Sequence, residues 1–408
     1  MIKQLYGLEK NGDYKQWSVE VFDNKVCPGD EQVTAFILVK HGKDGGAVTE
    51  KLEEVTVGKQ GRSVLEQAVF QAQAKVKKQL DKGYRESKSE LDDLPLLAML
   101  ASDYNKVGHR VKFPCYTSVK YDGVRCLASK HAGYVYLKSR TGQEFDIPSI
   151  SEALNEVMYD GEVLDGEVYI HGVELQDILS AVKRNDSKCD AEIVKAGKKV
   201  DKAEFLSQEY EDAKDEFAKA LAVKANRERL EFHIFDIPMD GDFEARLAAL
   251  GKHQETRATH PRVKYCVYNW CASDQSLREH HHKEAVRMGF EGVMIRNMKG
   301  VYESGKRSAD LQKYKTFLDE EFLILNVIPD KQGDGIFVLD NGNGQVFQCV
   351  MGTLEERRHY LENKEMYIGK WLTVKFQTRY KDTLLPQFPV GLGIREGYKV
   401  GAEFIPTV

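Results

Sequence analysis

Ser118-Val119-Lys120-Tyr121-Asp122-Gly123-Val124-Arg125 is the stretch on which the reading of this chain turns. A lysine closes an apolar, β-branched run, an Asp-Gly pair follows, and a second β-rich run extends from Val124 to Ala128. Asp-Gly between two such runs is a strong short-range hairpin signal. The expectation is a lysine at the rim of a hairpin, where a small ligand can lie on the sheet. Taken alone, the pattern fits an exposed lysine beside an ordinary turn equally well, because four-residue matches arise by chance.

At 408 residues the chain is too long for one typical core and predicts two or three domains. With 42% hydrophobic residues it can fill several cores, yet no run approaches the ~18 apolar residues of a membrane span. Met1-Ile2-Lys3-Gln4 starts no secretory signal, so no membrane partner is expected. Cys27, Cys115, Cys126, Cys189, Cys266, Cys271 and Cys349 form no C-x-x-C pair, which speaks against a zinc site or a disulfide framework and for an intracellular home. The formal charge of −5 argues against a surface coated in nucleic acid but allows a local basic groove.

Residues 1–88 read as a small module. Trp17–Phe22, Val33–Val39 and Glu50–Val57 are expected strands, and Val64–Lys82 an expected helix with Ser63 and Glu66 as a capping box. Lys75, Lys77, Lys78, Lys82 and Arg85 make either a solvated face or a phosphate-tracking patch. Residues 89–111 read as a connection. Residues 112–317 form the largest unit, rich in strands, with a charged helical insertion over about 191–229 that is a surface feature or a substrate clamp. His280-His281-His282 falls on a helix over Asp274–Met288, where three consecutive side chains diverge, so a solvated face is expected rather than a metal site. In residues 318–408, strands at Glu321–Val327, Ile336–Leu339, Val346–Val350 and Trp371–Gln377, with a helix over Leu354–Asn363, suit an OB-like barrel whose fifth strand is unassigned. The fold class expected is thus α+β and multidomain.

Further stretches of the central unit set charge at the ends of expected strands: Ser139-Arg140-Thr141-Gly142, Asp165-Gly166-Glu167, Glu291-Gly292-Val293-Met294-Ile295-Arg296 and Lys313-Tyr314-Lys315. Brought together, their amines, guanidinium groups and carboxylates suit a nucleoside triphosphate with a divalent metal, since phosphates need cations and Mg²⁺ needs oxygen ligands.

With Lys120-x-Asp122-Gly123 ahead of them and Phe232-His233-Ile234-Phe235-Asp236 among them, these stretches resemble, in order, the motifs of the covalent nucleotidyltransferases, and specifically of ATP-dependent DNA ligases. Tyr302 to Ser308 and Pro386 to Glu396 are ligase-like as well. The N-terminal layout resembles the WGR domain, a nucleic-acid-binding module, although Val39-Lys40-His41-Gly42 stands where the Trp-Gly-Arg triplet belongs. The resemblance implies a nucleotidyltransferase domain of ATP-grasp-like antiparallel sheets with helices. It implies ATP and Mg²⁺ (or Mn²⁺) as cofactors and nicked double-stranded DNA as the partner of a monomer, in DNA replication, repair or recombination, with a phage or virus among the sources it allows.

The same resemblance implies residue roles. Lys120 attacks the α-phosphate and becomes lysyl-AMP, and Lys313 and Lys315 stabilise the phosphate charge. Arg125 and Arg140 contact nucleotide and 5′-phosphate. Glu167 holds the ribose beside the metal, Glu291 is the second metal-linked carboxylate, Phe235 stacks on adenine, and Arg395 contacts pyrophosphate. Ser118, two residues before the lysine, replaces a larger or acidic residue of many ligases and leaves base selectivity open. An RNA ligase, a GTP-using mRNA-capping guanylyltransferase, or an inactive nick- or end-binding protein are the alternatives. NAD as adenylate donor is disfavoured, because the four-cysteine zinc module of such ligases is missing.

Overall fold

The computed structural model describes residues 2–9, 12–24, 34–91, 96–380, 383–401 and 403–407. Val33 and residues 92–95 of the expected elements lie outside them. Two compact units emerge, Gln79–Lys315 on the one hand, and Met1–Lys78 together with Thr316–Val408 on the other.

The N-terminal segment is an antiparallel sheet, β1 (Ile2–Leu8), β2 (Tyr14–Asp23), β3 (Ala35–Lys43) and β4 (Val48–Val55), followed by helix α1 (Val64–Leu80). Alternating residues Trp17, Val19 and Val21 of β2 and Ala35, Ile37 and Val39 of β3 are buried, as are Ala68 and Ala72 of α1. Ser63 and Glu66 make the expected reciprocal cap, with N–H···O distances of 2.8 and 3.3 Å. The basic patch is smaller than expected. Lys75 lies 2.8 Å from Glu53, and Arg85 donates to the carbonyls of Leu80 and Tyr84 that end the helix.

The larger unit runs through β5 (Leu100–Asp103), α2 (Tyr104–Val107), β6 (Cys115–Lys120), β7 (Val124–His131), β8 (Tyr134–Ser139), β9 (Glu144–Phe145), α3 (Pro148–Val157) and β10 (Val163–Tyr169). There follow α4 (Leu175–Val182), α5 (Asp186–Lys202), α6 (Gln208–Arg229), β11 (Glu231–Asp236), α7 (Phe243–Thr256), β12 (Val263–Tyr265) and β13 (Asn269–Cys271). A helical run over 274–287 then leads to β14 (Gly292–Arg296) and β15 (Arg307–Tyr314). These strands make two sheets, ordered β12-β11-β10-β7-β8-β9 and β13-β6-β14-β15-β5. Ile150, Leu154, Ile178, Phe232 and Ile234 belong to the core of the first, and Tyr104, Leu277, Ile295 and Tyr314 to that of the second.

The expected hairpin at Asp122-Gly123 does not form. β6 pairs with β13 and β14, whereas β7 pairs with β8 and β10, so the turn carries the chain from one sheet to the other. Gly123 serves close approach: a Cβ there would lie 2.5 Å from the Val168 carbonyl oxygen and 2.9 Å from Glu167 Cγ. Residues 100–110, expected as connection, supply the edge strand β5 and buried Tyr104. The insertion is a helix pair that begins at Asp186, not Ala191, and its base is fixed. Buried Arg227 donates to Asp186 (2.5 Å) and to the carbonyls of Ala181 (3.1 Å) and Asp146 (2.6 Å). The helix over 274–287 widens to π-helical at Leu277–His282. His280 is exposed, but His281 Nδ1 lies 2.9 Å from Thr117 Oγ1, and His282 is buried with its ring 4.3 Å from that of Tyr314. The solvated histidine face thus holds for His280 alone.

In the C-terminal segment β16 (Leu318–Pro329), β17 (Gly335–Asp340), β18 (Val346–Cys349), β19 (Trp371–Phe376) and β20 (Val390–Arg395) are ordered β18-β17-β16-β19-β20. A parallel bridge between Val350 and Val390 brings the two edges together. β20 is the strand the sequence left unassigned, its Val-Gly-Leu-Gly-Ile-Arg being half-masked by glycines. A hairpin of β21 (Gly397–Val400) and β22 (Glu403–Pro406) follows. Lys59 donates to the buried Asp334 carboxylate at 2.9 Å, tying the N-terminal segment to this barrel.

Candidate active site

Lys120 ends β6, and its pairing opposite Gly292 leaves its side chain at the wall of a cleft of about 200 Å³. β6, β14 and β15 contribute Ser118, Lys120, Met294, Arg296 and Lys313, while β7, β10 and β11 contribute Arg125, Glu167 and Phe235. Arg140, exposed beyond β8, lines the same cleft. Six residues expected at the site therefore meet there. Arg395 is an exposed residue at the end of β20 and belongs to the other unit.

Glu291 and Lys315 stand beside Lys120. The Glu291 carboxylate, 4% exposed, accepts from Lys120 Nζ and, at 2.7 Å, from Lys315 Nζ. Burial pushes its pKa up, but the two ammonium groups outweigh burial and hold it below the usual range. An ammonium has no lone pair, so Lys120 has to give up a proton before it can attack anything. Lys313 has a lowered pKa, first through burial and then through the charges of Lys120 and Lys315. Asp122 is shifted up, by burial and then by Glu291.

Glu167 is different. It has neither hydrogen bond nor ion pair among the described residues, and burial, only partly offset by Arg125 and Lys120, pushes its pKa up to about 7. A carboxylate facing a cleft without a partner fits a hard cation, and Mg²⁺ sites commonly combine one or two carboxylates with phosphate oxygens. No group of three His, Cys, Asp or Glu able to hold a metal exists among the described residues. Of the two carboxylates expected at the metal, Glu291 has its oxygens committed to lysines, and Glu167 alone is available.

Arg125 is held in a closed ring that sequence reasoning did not foresee. Its Nε and Nη2 grip Asp165 at 2.6 and 2.5 Å, and Nη2 also donates to the Met99 carbonyl at 3.3 Å. Asp165 further accepts from the Tyr302 hydroxyl at 2.6 Å, and that hydroxyl accepts from Met99 N–H at 3.2 Å. The guanidinium lies over the Phe235 ring, 4.5 Å from its centroid, which braces that aromatic. Below it, buried Asp236 accepts from Arg296 (2.6 Å) and Arg246 (2.8 Å), tying β11 to β14 and α7. Met99, Leu100 and Ala101 form a cleft wall outside every recognised motif. The only hint in the sequence was the ligase-like run from Tyr302 to Ser308, which clamps that wall through Tyr302 and Lys306 and holds Leu97 ahead of it through Ser304.

The family described as ATP dependent DNA ligase domain matches residues 95–315, more than half of the chain. The DNA ligase of Enterobacteria phage T4 is 23% identical over 341 residues, covering 73% of this chain and 68% of its own. The DNA ligase of African swine fever virus (strain Badajoz 1971 Vero-adapted) is 25% identical over 410 residues, covering 94% and 89%. Among solved structures, a Lig E DNA ligase superposes with a TM-score of 0.53 at 22% identity, over 74% of this chain and 100% of its own, a likeness of fold. With its lysine, carboxylates and cleft set inside the matched segment, this chain belongs to the ATP-dependent DNA ligase domain family.

Proposed function

We propose that the chain seals nicks in duplex DNA, using ATP to join a 3′-hydroxyl to a 5′-phosphate. Lys120 Nζ, released from Glu291 and deprotonated, attacks the α-phosphorus of ATP. The new N–P bond forms as the bond to pyrophosphate breaks, giving lysyl-AMP. AMP then passes to the 5′-phosphate of the nick, and attack by the 3′-hydroxyl expels AMP. Lys313 and Lys315 neutralise charge on the α-phosphate in the transition state. Phe235, braced by Arg125, stacks on adenine, and Arg140 meets a phosphate at the cleft mouth. Glu167 would hold the ribose and, with Glu291, a divalent cation that would supply charge neutralisation of the phosphates.

The observation that carries this reading is Lys120 at the wall of one cleft with Lys313, Glu167 and Phe235. We read residues 318–408 as an OB-fold, supported by β16 at the centre of the strand order, the Val350–Val390 closure and the helix between β18 and β19. Arg395 on its last barrel strand is proposed as the pyrophosphate contact. Residues 1–88 are read as a WGR-like module, supported by a four-stranded sheet with one helix and by exposed Lys77 and Lys78.

Labelled ATP with Mg²⁺, followed by denaturing electrophoresis, tests the chemistry: an acid-labile adenylate is expected on the wild type and none on Lys120→Ala. No adenylate, or labelling of the variant, would sink the mechanism. GTP in place of ATP, and nicked duplexes with RNA on either side, separate DNA sealing from capping and RNA ligation.

A further inference from the structure

α5 and α6 run antiparallel, joined by 203–207, with Lys199 meeting Glu216 (2.5 Å) and Asp190 meeting Lys224 (2.5 Å). α5 buries Cys189 and Ala196 toward its partner helix. At 3.6 residues per turn, Lys188, Lys195, Lys198, Lys199 and Lys202 fall within an arc of about 100° on the side turned away from those two residues. All five are exposed. Apart from that of Lys199, none of their side chains has a hydrogen bond or ion pair among the described residues. Three of the four carboxylates of α5 are engaged elsewhere: Asp186 with Arg227, Asp190 with Lys224 and Glu192 with Arg184. The fourth, Asp201, projects off the stripe by helical spacing. In a chain whose formal charge is −5, Lys188, Lys195, Lys198 and Lys202 are thus cations with no ion-pair partner among the described residues, and Glu192 at the edge of their stripe is held by Arg184.

We infer that the outer face of α5 tracks the phosphate backbone of the duplex beside the nick. The inference rests on the DNA-sealing reading above and adds a binding surface to it. From Lys188 to Lys202 the stripe spans about 21 Å at 1.5 Å per residue. The base of the arm is rigid through Arg227, so its lysines are presented in fixed register with the larger unit rather than on a loose tether.

The test uses the full chain with Lys188, Lys195, Lys198 and Lys202 all changed to Gln, and a labelled nicked duplex titrated between 50 and 200 mM KCl. Each phosphate that a lysine no longer neutralises lowers the slope of log K against log salt by about 0.9, so the quadruple variant is expected to be shallower by about 3 to 4 and each single variant by about 0.9. Self-adenylylation in the absence of DNA is expected to stay at the wild-type level, which also shows that the variant is folded. An adenylylating variant with wild-type affinity and slope overturns the inference, leaving an acidic protein surface as the occupant of this face. The two readings fail separately: a wild type that forms no Lys120 adenylate sinks the sealing chemistry, whereas an unchanged salt slope sinks the arm alone.

Discussion

Tyr302→Phe removes one oxygen atom and tests whether the Met99–Arg125–Asp165 ring depends on it. The hydroxyl donates to the Asp165 carboxylate at 2.6 Å and accepts from Met99 N–H at 3.2 Å. A hydrogen bond to a charged group contributes about 1.5–3 kcal/mol, and an abandoned backbone donor costs about 1 kcal/mol or more. Asp165 keeps both bonds to Arg125, and Tyr302 is half-buried, so the lower end applies, about 2–3 kcal/mol. For a unit of this size, each kcal/mol moves the melting temperature by about 2–4 °C, which predicts a drop of roughly 4–12 °C. The functional consequence follows from the wall that Met99 begins. With that wall loosened, KM for ATP in self-adenylylation is expected to rise several-fold while kcat changes little, because the Lys120–Glu291–Lys315 cluster is untouched. Differential scanning calorimetry and a labelled-ATP titration measure the two effects. A melting temperature within 1 °C of wild type, with an unchanged KM, would refute the ring as a positioning device.

Three further outcomes are expected. Glu167 has its folded pKa raised to about 7 from an ordinary 4.5, so its contribution to stability is fully present below 4.5 and is lost as pH rises through 7. In metal-free protein, Glu167→Gln is therefore expected to match wild type at pH 4 and to be the more stable at pH 8; equal melting temperatures at pH 8 would contradict the unpartnered carboxylate. Gly123→Ala places a Cβ against the Val168 carbonyl, so a cost of about 1–3 kcal/mol and at least a tenfold loss of adenylylation are expected, with wild-type activity arguing against the close approach. Lys59→Met leaves buried Asp334 with Arg358 as its one cationic side-chain partner among the described residues, and a loss of about 1–3 kcal/mol in the unfolding of the C-terminal segment is expected, read by urea titration.

The sequence by itself determined the ligase-like motifs and their order, because motif chemistry is written in short runs of adjacent residues. It also determined the capping box at Ser63 and Glu66, the helices of the insertion and most strands of the barrel, which depend on periods of two or 3.6 residues. Lys120, Arg125, Arg140, Glu167, Phe235 and Lys313 could be named before any of them was seen to share a cleft. What only the tertiary structure decided are partners distant along the chain. Asp-Gly signals a tight turn but not which strand each arm will join, and here it joins two sheets rather than closing a hairpin. Lys120 and Glu291 stand 171 residues apart, Arg125 and Asp165 stand 40 apart, and Tyr302 and Asp165 stand 137 apart. No local period reports such a pairing. The lysines of α5 were legible as charge, but their common outward face was fixed only when Cys189 and Ala196 turned toward α6. Even the opening stretch was half-read: its lysine was chosen rightly as the residue to follow, while the glycine beside it answers to Val168 and Glu167 pressing in from β10.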